Sequence, residues 1–281
     1  MAHKLEGCRL KVAQAIEDFD AFHAEIVGFT KDNPYPLTIE DDAETGEQVI
    51  KVGEPPVLPA KWGLRVGLIA YSARSALDHL VYEIAAKAGG KPEEDKTQFP
   101  ISDSREGYLR VSGRPKLSFR DRCLIGVPET IKAKIDTVQP YNKVGGPKRD
   151  PLYNLNELGN RDKHRTLSPA YGAIKTGRYV VVPAGPVDWR EVEIRTKDGD
   201  VKVKAELKLE ENPSRDTDVL QIQHQVDMVG QIGAEVVFQC EHRFIKLSAI
   251  HEAVHNAGAI LRWLEPDFEA IERPPATDEH E

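Results

Sequence analysis

Hydrophobic residues in the first 168 positions recur at intervals of three and four, the spacing of an amphipathic helix. This pattern covers four segments, from about 4 to 29, 61 to 88, 128 to 138 and 151 to 164. Gly89 and Gly90 follow the second segment, and glycine is common just past the end of a helix. Residues 1–168 are therefore predicted to form a helical bundle.

Shorter segments rich in β-branched residues predict strands in two places. Leu37–Ile39 and Gln48–Val52 flank an acidic loop that contains glycine, which indicates a β-hairpin at about 36–52. After Arg178 the helical spacing gives way to strand patterns at about 179–182, 191–194, 201–207, 219–226 and 234–239. These later segments predict an antiparallel sheet.

The whole pattern predicts an α+β protein with a helical domain over 1–168 and a strand-rich region with a closing helix over 169–265. The closing helix is predicted from about Lys246 to Leu264, and Pro266 is expected to stop it. The acidic tail, 266–281, is expected to be disordered. The sequence leaves open whether the closing helix returns to the bundle, which would make the sheet an insertion.

Composition narrows the class of protein. The chain of 281 residues is 40% hydrophobic, and no apolar run reaches the length that spans a bilayer. Three cysteines, odd in number and widely spread, are typical of a reducing compartment. We therefore expect a cytoplasmic protein with no membrane partner. Neither a glycine-rich phosphate loop, a GxSxG motif nor an EF-hand loop is present, and no cofactor is expected.

The charge of −8 is unevenly distributed. Between Arg105 and Arg165 there are fourteen basic and seven acidic residues, an excess of seven positive charges. Such a region can recruit anions, phosphates or RNA. The alternative is that these charges lie on solvated helices and point in all directions.

One face of the second helix carries residues suited to chemistry. At 100° per residue, Tyr71, Arg74, Asp78, His79 and Tyr82 lie opposite the hydrophobic face. Arg74 and His79 are five positions apart, and this spacing resembles the Rx4–6H signature of the HEPN superfamily, helical proteins that include many metal-independent ribonucleases.

The resemblance implies a dimer in which His79 acts as general acid or base at the ribose 2′-hydroxyl. Arg74 would stabilise charge on the phosphorane, and Asp78 would assist. Positions five apart on a straight helix diverge by about 140°, so the pair would have to act across a dimer or at a helix distortion. In the alternative, Arg74 and Asp78 form an ordinary intrahelical ion pair, and His79 is a hydrogen-bonding residue.

A second polar run ends the helix at 151–164. Its members are Asn160, Arg161, Asp162, Lys163, His164 and Arg165. Cations at a helix C-terminus also favour the helix dipole, so capping explains part of this run. As a functional hypothesis, the run completes a substrate-binding site with the second helix, where Asp162 orients a histidine and Lys163 or Arg165 holds a phosphate.

Four segments together resemble an uncharacterised bacterial protein family. They are Ser72–Tyr82, Thr97–Ile101, Val138–Tyr141 and Asn160–Arg165, in that family's order. The resemblance covers roughly residues 5 to 168 and implies that the segments around Arg74–His79 and Asn160–Arg165 belong to one structural unit. It implies no function.

A third motif, His251-Glu252-Ala253-Val254-His255, matches HExxH on the closing helix. In zinc peptidases the two histidines bind zinc while the glutamate activates water. Leu261 stands where a metzincin carries its third histidine. Glu265, Glu269 and Glu272 are the remaining acidic candidates for a third ligand.

Three hypotheses follow. The first is a HEPN-like RNA-binding or metal-independent RNA-cleaving homodimer in which Arg74 and His79 are the reactive pair and no metal is used. The assisting residues are Asp78, Asn160, Asp162 and His164. The second is a non-catalytic interaction or scaffold protein, in which the same residues only hold helices together. The third is a zinc hydrolase built on His251, Glu252 and His255.

Overall fold

The computed structural model describes residues 5–32, 37–41, 48–52, 56–164, 167–171, 178–179, 192–197, 200–205, 236–240 and 243–272. The protein is α+β, as the sequence predicts. Two compact units make up the chain. We call residues 1–29, 58–170 and 236–281 the helical unit, and residues 30–57 and 171–235 the strand unit.

The described part of the chain contains seven α-helices. They are α1 (Glu6–Asp32), α2 (Lys61–Lys87), α3 (Arg105–Leu109), α4 (Phe119–Cys123), α5 (Glu129–Thr137), α6 (Pro151–His164) and α7 (Leu247–Ala270). Helices α1, α2, α5 and α6 are the four predicted in the first 168 residues. Single-turn 3-10 helices lie at Pro140–Asn142 and Pro147–Arg149. The short α3 and α4 fall in a segment whose sequence has no clear helical period.

The strands are β1 (Leu37–Asp41), β2 (Gln48–Val52), β3 (Val111–Ser112), β4 (Leu117–Ser118), β5 (Ser168–Tyr171), β6 (Arg178–Tyr179), β7 (Val192–Lys197), β8 (Asp200–Ala205), β9 (Val236–Cys240) and β10 (Arg243–Lys246). Strands β1 and β2 form the predicted hairpin, with Leu37 opposite Val52. The hairpin joins β8, β7 and β6 in one antiparallel sheet, ordered β1-β2-β8-β7-β6. The strand predicted at 219–226 lies outside the described residues.

The boundaries between the two units differ from the single boundary after residue 168 that the sequence predicts. Hairpin β1–β2 belongs to the strand unit, because β2 pairs with β8. Helix α7 belongs to the helical unit, where it packs against α2 and α6. Strands β9 and β10 precede α7 and join β5 in a second sheet, ordered β10-β9-β5. The chain thus leaves the helical unit and returns to it, and α7 packs there against α2, α6, β9 and β10.

Helix α7 does not stop at Pro266, contrary to the sequence prediction, and residues 266–270 of the expected disordered tail are helical. Proline has no main-chain N–H, so the carbonyl group four residues before Pro266 loses its helical donor. Pro266 is exposed, so water can take the place of that donor. The turn beyond it is held in place by Phe268, which is buried, and by a Lys134–Asp267 ion pair of 2.7 Å. Residues 273–281 lie outside the described part.

The core of the helical unit is built mainly by α2, α6 and α7, and a cluster of aromatic rings extends it where α1, α2 and β9 meet. The ring of Phe22 lies 6.0 Å from that of Trp62 and 6.0 Å from that of Phe238. All three residues are fully buried, and the Trp62 indole N–H donates to Glu25 Oε1 at 3.0 Å. This hydrogen bond lets the indole be buried with its one polar group paired.

None of the described helices combines the length and the apolar character that crossing a membrane requires.

Candidate functional site

The α2 residues singled out by the sequence differ in how far they reach solvent. Tyr71 is 62% exposed, and His79 is also exposed. Tyr82 is half-buried. The side chain of Arg74 is only 16% exposed and that of Asp78 is 32% exposed, so these two point partly into the protein. The predicted polar band is thus split between a solvent side and a buried side.

Arg74 and Asp78 together hold the main chain of Phe99. The Arg74 Nη2 atom donates to the Phe99 carbonyl oxygen at 2.6 Å, and Asp78 Oδ1 accepts from the Phe99 N–H at 2.8 Å. Arg74 also meets Asp78 through two nitrogens, Nε and Nη2, each 3.3 Å from a carboxylate oxygen. We call this arrangement the Phe99 clamp. It satisfies both main-chain polar groups of a residue whose side chain is completely buried.

A second clamp holds the same segment at Pro100 and Ser102, one and three residues after Phe99. Gln139, 1% exposed, donates from Nε2 to the Pro100 carbonyl oxygen at 2.8 Å and to that of Ile135 at 3.2 Å. Its Oε1 accepts from the Ser102 N–H at 3.1 Å. The segment from Thr97 to Ser102 has no regular secondary structure, so these side chains supply the partners that a helix or strand would supply.

The geometry separates Arg74 from His79. The Arg74 guanidinium faces Phe99, and its Nη1 is buried and forms no hydrogen bond within the described part of the chain. The imidazole of His79 is on the exposed side, with no hydrogen bond or ion pair to any described residue. The ion pair between Arg74 and Asp78, four positions apart, is formed. The Arg74 side chain is 16% exposed and its Nη2 is occupied by the Phe99 carbonyl oxygen, so little of the guanidinium is open to solvent.

The run at the end of α6 is described only in part. Helix α6 packs against α2 in the helical unit, so the two segments do lie in one structural unit. Asn160 is exposed and Arg161 is half-buried. Asp162, Lys163 and His164 continue the helix, but their side chains, and all of Arg165, lie outside the described residues. Their contribution to a site with α2 stays a prediction.

The two histidines of the HExxH motif lie side by side on the surface of α7. The rings of His251 and His255 are 4.2 Å apart, and Phe19 of α1 lies 5.3 Å from His251. Glu265, one candidate for a third zinc ligand, is instead paired with Arg9. Among the described residues no group of three histidine, cysteine, aspartate or glutamate side chains has the geometry of a metal site.

Two features were missed by the sequence reasoning. The first is Gln139, whose partners Pro100 and Ser102 lie 39 and 37 positions away, so that local spacing carries no signal of the contact. The other is an exposed apolar stripe on α2, formed by Leu64, Leu68 and Tyr71, which are 53%, 56% and 62% exposed. Their spacing of four and three places them on one face of the helix. We call it the α2 stripe.

No protein-family model, no curated protein and no solved structure matches this chain.

Proposed function

We propose that this protein is a non-catalytic interaction protein. The observation that carries the proposal is the Phe99 clamp. Arg74, the residue that a ribonuclease would use to stabilise a phosphorane, instead binds the Phe99 carbonyl oxygen and the Asp78 carboxylate. Asp78 is likewise occupied by the Phe99 N–H. Releasing Arg74 for catalysis would leave a buried carbonyl group and a partly buried carboxylate without their partner, which is costly.

The α2 stripe gives this proposal its interaction surface, and we infer that the partner is a second copy of the chain. Leu64, Leu68 and Tyr71 form a narrow apolar row on one face of α2. A row of this kind can meet its own copy across a two-fold axis, since both helices then present the same residues to each other. Large apolar side chains grouped on one exposed helix face are a mark of an interaction surface.

A cleavage assay tests the non-catalytic part. Purified protein is incubated with mixed RNA in excess EDTA, beside His79→Ala and Arg74→Ala variants. We expect no cleavage by the wild-type protein. Cleavage that is lost in His79→Ala, with the fold unchanged by circular dichroism, would contradict the proposal and establish the metal-independent ribonuclease instead.

Sedimentation velocity tests the self-association. Leu68→Glu places a charge in the middle of the α2 stripe, so it should shift the wild-type dimer to monomer. The control is Val144→Glu, at a residue that is 93% exposed and lies away from α2 in sequence. A wild-type monomer at all concentrations, or a dimer unaffected by Leu68→Glu, would exclude the α2 stripe as a self-association surface.

A further inference from the structure

The hairpin β3–β4 presents exposed cations close together. Arg110 precedes β3, and Arg114 and Lys116 lie in the turn that joins β3 to β4. All three are exposed. Arg122 of α4 is also exposed, and its Nη1 atom lies 3.5 Å from the position that a Cβ on Gly113 would occupy. The guanidinium of Arg122 is thus beside the turn. We call these four residues the basic hairpin.

The charge of the basic hairpin is not neutralised by its neighbours. From Leu109 to Arg120 the chain contains no acidic residue. None of the four cations forms an ion pair with any described residue. In ordinary surface regions cations and carboxylates are interspersed, so an uncompensated group of four raises the local potential.

The nearby carboxylates are engaged by a different arginine. Arg120 Nε donates to Asp136 at 2.9 Å, its Nη1 donates to Asp121 at 3.0 Å, and its Nη2 donates to Glu129 at 3.2 Å. Lys132 adds a hydrogen bond of 2.8 Å to Glu129. The carboxylates near the hairpin therefore form ion pairs with Arg120 and not with the four cations of the basic hairpin.

Both ends of the basic hairpin are anchored. Before β3, the fully buried Tyr108 donates from its hydroxyl to Asp136 at 2.9 Å. After β4, the buried Ser118 accepts from the Asp121 N–H at 3.0 Å and caps α4. Because the main chain of the hairpin is fixed at both ends, it loses little conformational entropy when a ligand binds to its cations.

We propose that the basic hairpin is a binding site for the phosphate backbone of a nucleic acid. Three of its four cations are arginines, and the planar guanidinium fork matches two oxygens of a phosphate. A chain of phosphates offers several such contacts at once. The protein has a net charge of −8, so a nucleic acid is not attracted to the surface as a whole and must bind locally. This site uses none of the residues on which the proposed function rests.

Fluorescence anisotropy tests the proposal with two labelled probes, an oligouridylate RNA and a DNA duplex with the same number of phosphates. The test variant is the triple Arg110→Ala, Arg114→Ala, Lys116→Ala. We expect at least a tenfold loss of affinity for the probe that the wild type binds. The slope of log affinity against log salt should fall by about 2 for the RNA, because three phosphate contacts are lost at about 0.7 each. The two probes decide whether the phosphates come from RNA or from DNA.

The matched control removes three exposed cations elsewhere, through Lys31→Ala, Lys91→Ala and Arg262→Ala. Equal weakening in both triple variants would overturn the proposal, since net charge alone would then explain binding. It would also be overturned if neither probe binds at low salt, or if polyglutamate or anionic phosphatidylserine vesicles compete as well as the nucleic acid. If the test triple does not fold by circular dichroism, Arg114→Gln alone serves as the test, with Lys91→Gln as its control.

Discussion

Asp78 accepts a hydrogen bond from the main-chain N–H of Phe99 at 2.8 Å, across a sequence separation of 21 residues. This contact, with that of Arg74 to the Phe99 carbonyl oxygen, attaches an irregular segment to the middle of α2. The side chain of Phe99 is thereby buried without a helix or strand to satisfy its main chain. Two residues of the polar face of α2, Arg74 and Asp78, thus make tertiary contacts with a segment distant in sequence.

Replacing Asp78 by Ala should destabilise the protein. The change leaves the Phe99 N–H without an acceptor and Arg74 without its carboxylate. The cost is expected to be about 2–4 kcal/mol in the free energy of unfolding. Urea denaturation provides the measurement. The control is His79→Ala on the same helix, where an exposed side chain should change stability by less than about 0.5 kcal/mol. An equal loss in the two variants would contradict the Phe99 clamp.

Gln139→Leu should also be destabilising, although leucine is apolar and similar in size. The Pro100 carbonyl oxygen and the Ser102 N–H would both lose their side-chain partner. We expect a loss of about 2–4 kcal/mol, measured by urea denaturation. Asn142→Ala is the matched control: its Nδ2 donates to the Asp136 carbonyl oxygen at 2.8 Å on the exposed surface, where water can replace it. A Gln139→Leu protein as stable as this control would rule out the second clamp.

Two glycine-to-alanine changes should have opposite effects. A Cβ on Gly63 of α2 would lie 1.6 Å from the main-chain carbonyl oxygen of Leu167, so Gly63→Ala must push α2 away from the start of β5. At Gly7 of α1 nothing lies within 4 Å of the added carbon. Gly7→Ala should therefore stabilise the protein by about 0.5–1 kcal/mol, because alanine favours helix.

Thermal unfolding of both variants measures the contrast. Gly63→Ala is expected to lower the midpoint by more than about 5 °C, which is the result of losing well over 1 kcal/mol in a chain of this size. A midpoint equal to that of the wild type would show that the close approach of α2 and residue 167 is not required.

Glu25 should make stability depend on pH in the acid range. A hydrogen bond from Trp62 and contacts with Lys61 hold the pKa of Glu25 below its usual value. Because the folded-state pKa is the lower one, this stabilisation is fully present above the ordinary glutamate pKa of about 4.3. It is lost as the pH falls through the folded-state value.

The isosteric change Glu25→Gln tests this directly, because glutamine can still accept from the Trp62 indole. At neutral pH the wild type should unfold at a higher temperature than Glu25→Gln. The difference should begin to shrink near the ordinary glutamate pKa of about 4.3 and disappear as the pH falls through the lower folded-state pKa of Glu25. A difference that stays constant from neutral to acid pH would mean that the charge of Glu25 contributes nothing to stability.

Much of the fold follows from local pattern. Helices α1, α2, α5 and α6 and hairpin β1–β2 were all predicted from hydrophobic spacing and turn residues. Such elements depend on which face of a segment is apolar, and that information lies within a few residues. The ion pair of Arg74 with Asp78 was one of the two roles that the sequence suggested for Arg74. It also follows from local pattern, since positions four apart on a helix are neighbours.

Other features depended on contacts between distant segments. Pro266 lies inside α7 because Phe268 and Asp267 find partners elsewhere in the helical unit, and these compensate for the hydrogen bond that proline removes. Arg74 points at Phe99, 25 residues away, and no spacing rule within α2 reveals that partner. The sequence by itself determined the long helices α1, α2, α5 and α6 and hairpin β1–β2, because their apolar periodicity and turn residues are local. Only the tertiary structure decided which polar side chains are consumed by main-chain contacts, because a polar side chain pairs with whatever donor or acceptor the packing brings to it.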